Sequence, residues 1–268
     1  MAIRLAAAFA TALLATGTAS GASADVMKEL VPTGTLRVAI AYGPTPSALY
    51  ALKDPATGNF RGVTITLGTA LAKKLGVPVE FVPHLASGEI QAEASANKWD
   101  VTFMPVDATR KKIVDFGNAY HLLQSTFLVA PGSKIMKIED TNDPKVRIGG
   151  VAGTATYRAA QRAVPKATFV TVPGVAAAVE AMKAGKIDAI GLSRESLAGI
   201  ANKIPGSRIL DGGFLNSSTA IAVTKGKPEA LAYVSTFIEE AKASGLVRKA
   251  FDDMGLKNSQ VAPAGMKP

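Results

Sequence analysis

The side chains in this sequence that could do chemistry are few. Its two histidines, His84 and His121, have no cysteine anywhere in the chain to work with and no spaced carboxylate cluster around them, so a zinc site is not expected. Gly149-Gly150 and Gly153 lack both the full Gly-x-Gly-x-x-Gly spacing and a Gly-Lys-Ser/Thr ending, which argues against a nucleotide loop. Ser193, within Gly191-Leu192-Ser193-Arg194-Glu195, is not at a nucleophile elbow, because the glycine after the serine is missing. Two features could meet an anion: Arg110, in the run Arg110-Lys111-Lys112, and the turn Gly153-Thr154-Ala155-Thr156. A guanidinium offers a carboxylate a planar, doubly bonded grip, and free amides at a helix start favour negative charge. Read alone, Arg110 is a surface cation and Thr154 an ordinary helix N-cap.

The elements that must position these residues alternate short β-branched runs with helical stretches, the pattern of α/β units around a mainly parallel sheet. Strands are expected at Leu36 to Ile40, Val77 to Val82 and Asp100 to Val106. A helix is expected from Val63 to Leu75, with Leu67, Leu71 and Leu75 on one face and Gly76 as its stop. After Asp115-Phe116 the chain runs through Thr126-Phe127-Leu128-Val129 into Pro131-Gly132, where the alternation restarts. The second unit has strands at Val146 to Gly149, Thr168 to Val172 and Ile187 to Leu192, and helices from Thr154, from Val175 and over Arg194 to Ala201. Ala220 to Val223 is a returning strand, and Glu229 to Ala243 an amphipathic helix with Leu231, Val234, Phe237, Ile238 and Ala241 inward. The tail is expected to pack on the first unit. This divides the chain into a discontinuous first lobe, 25–128 with 220–268, and a second lobe, 129–219, joined by two crossing strands with a cleft between them.

Residues 1–24 read as a secretory signal: Met1-Ala2-Ile3-Arg4, an apolar stretch from Leu5 to Leu14, and Ala22-Ser23-Ala24 before cleavage. Removing them takes one charge, Arg4, from the formal net charge of +9 and leaves +8. The basic residues are scattered, without the stripe and interleaved aromatics of a nucleic-acid surface. Without cysteine there is no disulfide and no lipid-carrying cysteine, and the expected address is the periplasm.

Several stretches carry a family likeness. They are Leu36-Arg37-Val38-Ala39-Ile40, Leu71 to Val82, Trp99-Asp100-Val101 followed by Arg110 to Phe116 and Tyr120, and Gly185-Lys186-Ile187-Asp188-Ala189. In that order they resemble the type II periplasmic binding proteins, specifically the family 3 solute-binding proteins that serve amino-acid ABC importers. The resemblance implies two α/β lobes with a ligand cleft and an inner-membrane ABC permease as partner. It implies a monomer that needs no cofactor, metal, catalytic residue or nucleic acid. It also implies that a ligand's carboxylate is held by Arg110 from one lobe and by Thr154 and Ala155 from the other.

The amine side departs from the family. The aspartate that usually meets the ligand's ammonium is Ser193, the two small polar head-group positions are Phe103 and Pro105, and the usual threonine is Asp107. Proline has no N–H to donate. Tyr42, before Gly43-Pro44-Thr45-Pro46, stands where relatives place an aromatic that stacks on the ligand. An ammonium shut in a dry cleft without a partner costs several kcal/mol. Either the ligand is an amine-free organic acid with an apolar body against Phe103, or an amino acid's ammonium meets a relocated carboxylate, with Asp107, Glu195 and Glu89 as candidates. The first is the sharper expectation. Arg194 adds a second cation for a diacid or is a solvated helix residue. A periplasmic dehydratase acting on prephenate-like acids is the enzymatic alternative. It needs a general acid, and Asp107 and Glu195 have no orienting partner visible in the sequence.

Overall fold

The structure is a computed structural model that describes residues 22–42 and 47–268. The apolar stretch of the signal and the loop Gly43-Pro44-Thr45-Pro46 lie outside the described residues. The chain order is α1 (Ala24–Leu30), β1 (Leu36–Ala41), β2 (Leu52–Lys53), β3 (Phe60–Arg61), α2 (Val63–Leu75), β4 (Val79–His84), α3 (Ser87–Ala92), β5 (Val101–Pro105) and β6 (Val114–Val129). There follow β7 (Arg147–Val151), α4 (Ala155–Ala163), β8 (Thr168–Val172), α5 (Val175–Lys183), β9 (Ala189–Ser193), α6 (Arg194–Ala201) and β10 (Arg208–Ile209). The last elements are β11 (Leu215–Thr224), α7 (Pro228–Ala243), α8 (Leu246–Asp253) and β12 (Gln260–Val261).

One sheet runs through both lobes in the order β4-β1-β5-β11-β6-β9-β7-β8. At one end β1 takes β4 and β5 as parallel neighbours, and at the other β7 takes β8 and β9. Parallel neighbours need a helical crossover, and α2, α4 and α5 supply them. Between these ends lie β11 and β6, antiparallel to each other and long enough to belong to both lobes. β11 shifts register against β6 on both sides of Ala220, an irregularity that bends the strand where it passes from one lobe to the other.

Each end has its own apolar core. Leu67 and Leu71 from α2 are fully buried with Val38, Ile40, Phe237 and Phe251. Burying such a side chain contributes roughly 1.5–3 kcal/mol. Gly76 stops α2 as expected, at φ 72°, where its N–H returns to Ala72 O. In the second lobe Val179 and Met182 from α5 meet Ile190 and Leu197, while Phe127, Ile148 and Ala160 pack on the opposite face of the sheet. Gly149 and Gly150 belong to this packing. A Cβ on Gly150 would lie 2.0 Å from the Tyr157 ring, so glycine lets α4 settle directly on β7.

Four expectations are corrected. The first crossing strand begins at Val114, well before Thr126, and the second begins at Leu215, five residues before Ala220. Strand β4 reaches His84 instead of ending at Val82. Ala230 is fully buried on α7, while Leu231 is only partly covered. The tail adds a helix, α8, that places Phe251 in the first core. Among the described residues no helix is long and apolar enough to cross a membrane.

Candidate functional site

A cavity of about 80 Å³ lies where the two lobes meet. Its polar wall consists of hydroxyls: Ser47, Tyr50 and Ser87 from the first lobe, and Thr154, Thr156, Ser193 and Ser196 from the second. Leu85, Pro105, Val151, Val175 and Leu192 complete it. Among the described residues neither a carboxylate nor a cation belongs to this lining. The composition follows from the α/β pattern, in which each strand ends at the cleft and the next residues open a helix. Thr154 accepts from Tyr157 N at 3.1 Å and so caps α4, and Ser193 accepts from Ser196 N at 3.3 Å and caps α6. Val175 opens α5. Three second-lobe helices therefore direct their N-terminal ends toward the cavity, the ends that favour negative charge.

Arg110 stands one layer behind this wall. Its guanidinium is fully buried and donates to Pro105 O at 2.8 Å, Ser87 Oγ at 2.7 Å and Gln91 Oε1 at 3.3 Å. Burial pushes its pKa down to about 10, against the opposing pull of Asp107, so it remains a cation at neutral pH. Because Ser87 Oγ accepts from Arg110, its own proton is available to a group in the cavity. The charge thus reaches the cavity through a hydroxyl that it orients. Tyr50, on the same wall, has its phenol pushed up by burial, with Arg110 opposing and Glu195 adding to the shift.

The other expected residues fall into two groups. Thr154, Ser193 and Pro105 line the cavity, and Ala155 is the first residue of α4 beside them. Phe103 does not line it: its ring is buried in the first core, edge-on to Tyr120 at 5.8 Å. Phe103 shares a face of β5 with Pro105 but sits two residues deeper along the strand, inside the core and short of its cleft end. Tyr42 packs on Phe60 at 5.1 Å and is likewise absent from the lining, which takes its aromatic from Tyr50.

The three carboxylates weighed for an ammonium all have other partners. Asp107 Oδ1 receives Thr109 N at 2.7 Å and Arg110 N at 2.9 Å, while Oδ2 pairs with Arg158 of α4. Glu195 Oε1 pairs with the buried His121 Nε2 at 3.2 Å, at the crossing strands. Glu89 accepts Leu85 N at 2.8 Å. Asp107 and Glu195 therefore do have orienting partners, contrary to expectation, and neither lines the cavity, although Glu195 Oε2 is buried without a hydrogen-bond partner among the described residues. Arg194 is anchored by Gln124 Oε1, Leu210 O and Gly212 O, so it is no free second cation. His84 ends β4 and meets Glu93 Oε2 at 3.0 Å.

Reasoning from sequence missed Arg158, Ser87, Gln91 and Tyr50. It also missed a close approach across the cleft. A Cβ on Gly88 would lie 2.8 Å from Ala152 O, and one on Gly153 would lie 3.0 Å from Gly88 Cα. Glycine at both places lets the two backbones touch.

The comparisons with known proteins agree with this architecture. The chain is 25% identical over 253 residues to the ABC transporter glutamine-binding protein GlnH of Bacillus subtilis (strain 168), covering 88% of this chain and 90% of the relative. It is 27% identical over 222 residues to the glutamine-binding protein of Geobacillus stearothermophilus, covering 79% of this chain and 80% of that one. A crystal structure of the ancestral amino acid-binding protein AncCDT-1, a precursor of cyclohexadienyl dehydratase, superposes with a TM-score of 0.75 at 31% identity, covering 85% of this chain and 98% of that chain. The family model of the bacterial extracellular solute-binding proteins, family 3, matches residues 36–254, and with its two lobes, two crossing strands and a cavity between the lobes the chain belongs to that family.

Proposed function

We propose that this protein is the periplasmic substrate-binding component of an ABC importer, and that it captures a small amine-free organic acid by closing its two lobes. The observation that carries this reading is the cavity wall, which joins hydroxyls and three helix starts to a buried guanidinium and contains no carboxylate for an ammonium. A ligand carboxylate would meet Ser87, the amides that follow Thr154, and the charge of Arg110 behind them. A relative described as an ABC transporter glutamine-binding protein supports the transport role and an inner-membrane permease as partner. The lobes are taken as 25–128 with 220–268, and 129–219, after removal of residues 1–24 on export.

The test is a thermal-shift screen that sets 2-oxo acids, aromatic acids and diacids against L-amino acids. A ligand at a hundred times its Kd stabilises by about 2.7 kcal/mol, a shift easily read. Organic acids are expected to raise the Tm, and Arg110→Ala to abolish the rise. Stabilisation by ordinary L-amino acids alone would overturn the amine-free reading.

The likeness to a dehydratase precursor favours one alternative, an enzyme on the same fold. A dehydratase needs a general acid within reach of its substrate, and neither Asp107, paired with Arg158, nor Glu195, paired through Oε1 with His121, lines the cavity. Incubation with prephenate or arogenate is expected to yield no aromatic product.

A further inference from the structure

We infer that Arg158 determines closure, and that its ion pair with Asp107 is a latch carried by the protein itself. The inference rests on the reading of this chain as a receptor that closes on its ligand. Each partner is fixed to its own lobe. Asp107 is held on the first lobe through Oδ1, which accepts the amides of Thr109 and Arg110 at 2.7 and 2.9 Å, so only Oδ2 is left to reach outward. Arg158 is held on α4 of the second lobe, where its Nη1 donates to Gly153 O at 3.0 Å and its Nη2 meets Asp107 Oδ2. The pair can form only when the lobes are apposed.

The surroundings make this contact weigh more than a surface pair. The side chains are 10% and 22% exposed, and the Gly88–Gly153 backbone contact lies at Gly153, which also holds Arg158. Partly buried charges are screened less by solvent and salt than exposed ones. The facing group on the Asp107 side is Arg110, whose Nε is 4.0 Å from the same Oδ2, so the carboxylate lies between two cations. Elsewhere on the cavity rim the lobes meet through Ser196 Oγ and Ser47 Oγ at 3.5 Å, a neutral contact at the limit of hydrogen bonding. The cation that bridges the lobes therefore comes from α4, and a ligand need not bring one. An ammonium offered to Asp107 would have to displace Arg158.

The test is small-angle scattering of the ligand-free protein, comparing wild type with Arg158→Gln and Asp107→Asn. Asparagine keeps the Oδ1 acceptor for the two amides and loses only the charge. Both variants are expected to fold with wild-type circular dichroism and to show a larger radius of gyration than wild type at low salt. Radii equal to wild type in both variants, or expansion in Arg158→Gln alone, would overturn the latch. No ligand enters this measurement, so a failed organic-acid screen and a failed latch are told apart. For any ligand that binds only the closed form, apparent affinity falls in proportion to the closed fraction, so a latch that keeps nine in ten molecules closed gives a roughly tenfold loss once that fraction drops to one in ten.

Discussion

Both lobes fasten their leading strand with the same fork. In the first, Asp100 Oδ2 accepts Arg37 N at 2.9 Å and Nε at 3.0 Å, Oδ1 accepts Nη2 at 2.7 Å, and Asp100 N returns to Arg37 O at 2.9 Å. In the second, Asp188 repeats each contact with Arg147 at 2.8, 3.0, 2.7 and 2.8 Å. The geometry is shared and the surroundings are not. Asp100 is fully buried and Arg37 also donates to Asn97 O, whereas the side chains of Arg147 and Asp188 are 41% and 33% exposed. Matching hydrogen bonds therefore need not carry matching energies, because the cost of leaving a partner alone depends on whether water can replace it.

Breaking the buried fork should have the largest effect. Asp100→Ala strands the Arg37 guanidinium beside a fully buried site, and loss of one partner of a buried pair costs about 3–5 kcal/mol. Urea denaturation should show a midpoint far below wild type. A loss no greater than that of Asp188→Ala would mean that burial does not separate the two forks.

The two glycines at the cleft make a second pair of unequal halves. Gly153 has φ +67°, a conformation that costs a side-chain-bearing residue about 1–2 kcal/mol, while Gly88 has no positive φ. Gly153→Ala should therefore lower both stability and closure. Gly88→Ala should leave the melting temperature near wild type and weaken ligand binding about tenfold by titration calorimetry, since its Cβ meets the Ala152 carbonyl only when the lobes close. Unchanged affinity in Gly88→Ala would place the bound state at a wider lobe separation than this structure has.

What was legible in the sequence was local. The leucines of α2 repeat on one face and end at a glycine, and both α2 and the helix over Arg194 to Ala201 were placed to the residue. The first half of β6 was not, because this strand is buried on both faces through Ala119, Tyr120 and His121 and shows no alternation. The site was half legible. Thr154 was legible as a helix cap and Ser193 through the family resemblance, but Ser87 and Tyr50 carry no pattern that marks them as cavity wall. The partners of Asp107 and Glu195 stand 51 and 74 residues away, beyond the reach of any local pattern. Phe103 was misassigned because the resemblance places it on the same face of β5 as Pro105, whereas its depth along the strand, inside the core, is set by packing that no local pattern shows.

The exposed fork supplies the smallest and most specific test. Hydrogen bonds from Arg147 hold the Asp188 carboxyl below its usual value of 3.8, with burial opposing. A carboxylate with a depressed folded pKa stabilises the fold above its unfolded pKa, and that stabilisation is lost as pH falls through the folded value. Solvent screens a pair this exposed, so Asp188→Asn should lose about 1 kcal/mol or less at pH 7. The gap between wild type and Asp188→Asn in urea should be constant above about pH 5 and close progressively below pH 4. A gap that persists to pH 2 would assign the fork's contribution to hydrogen-bond geometry that asparagine cannot reproduce, and would remove charge from the account of why the second lobe needs it.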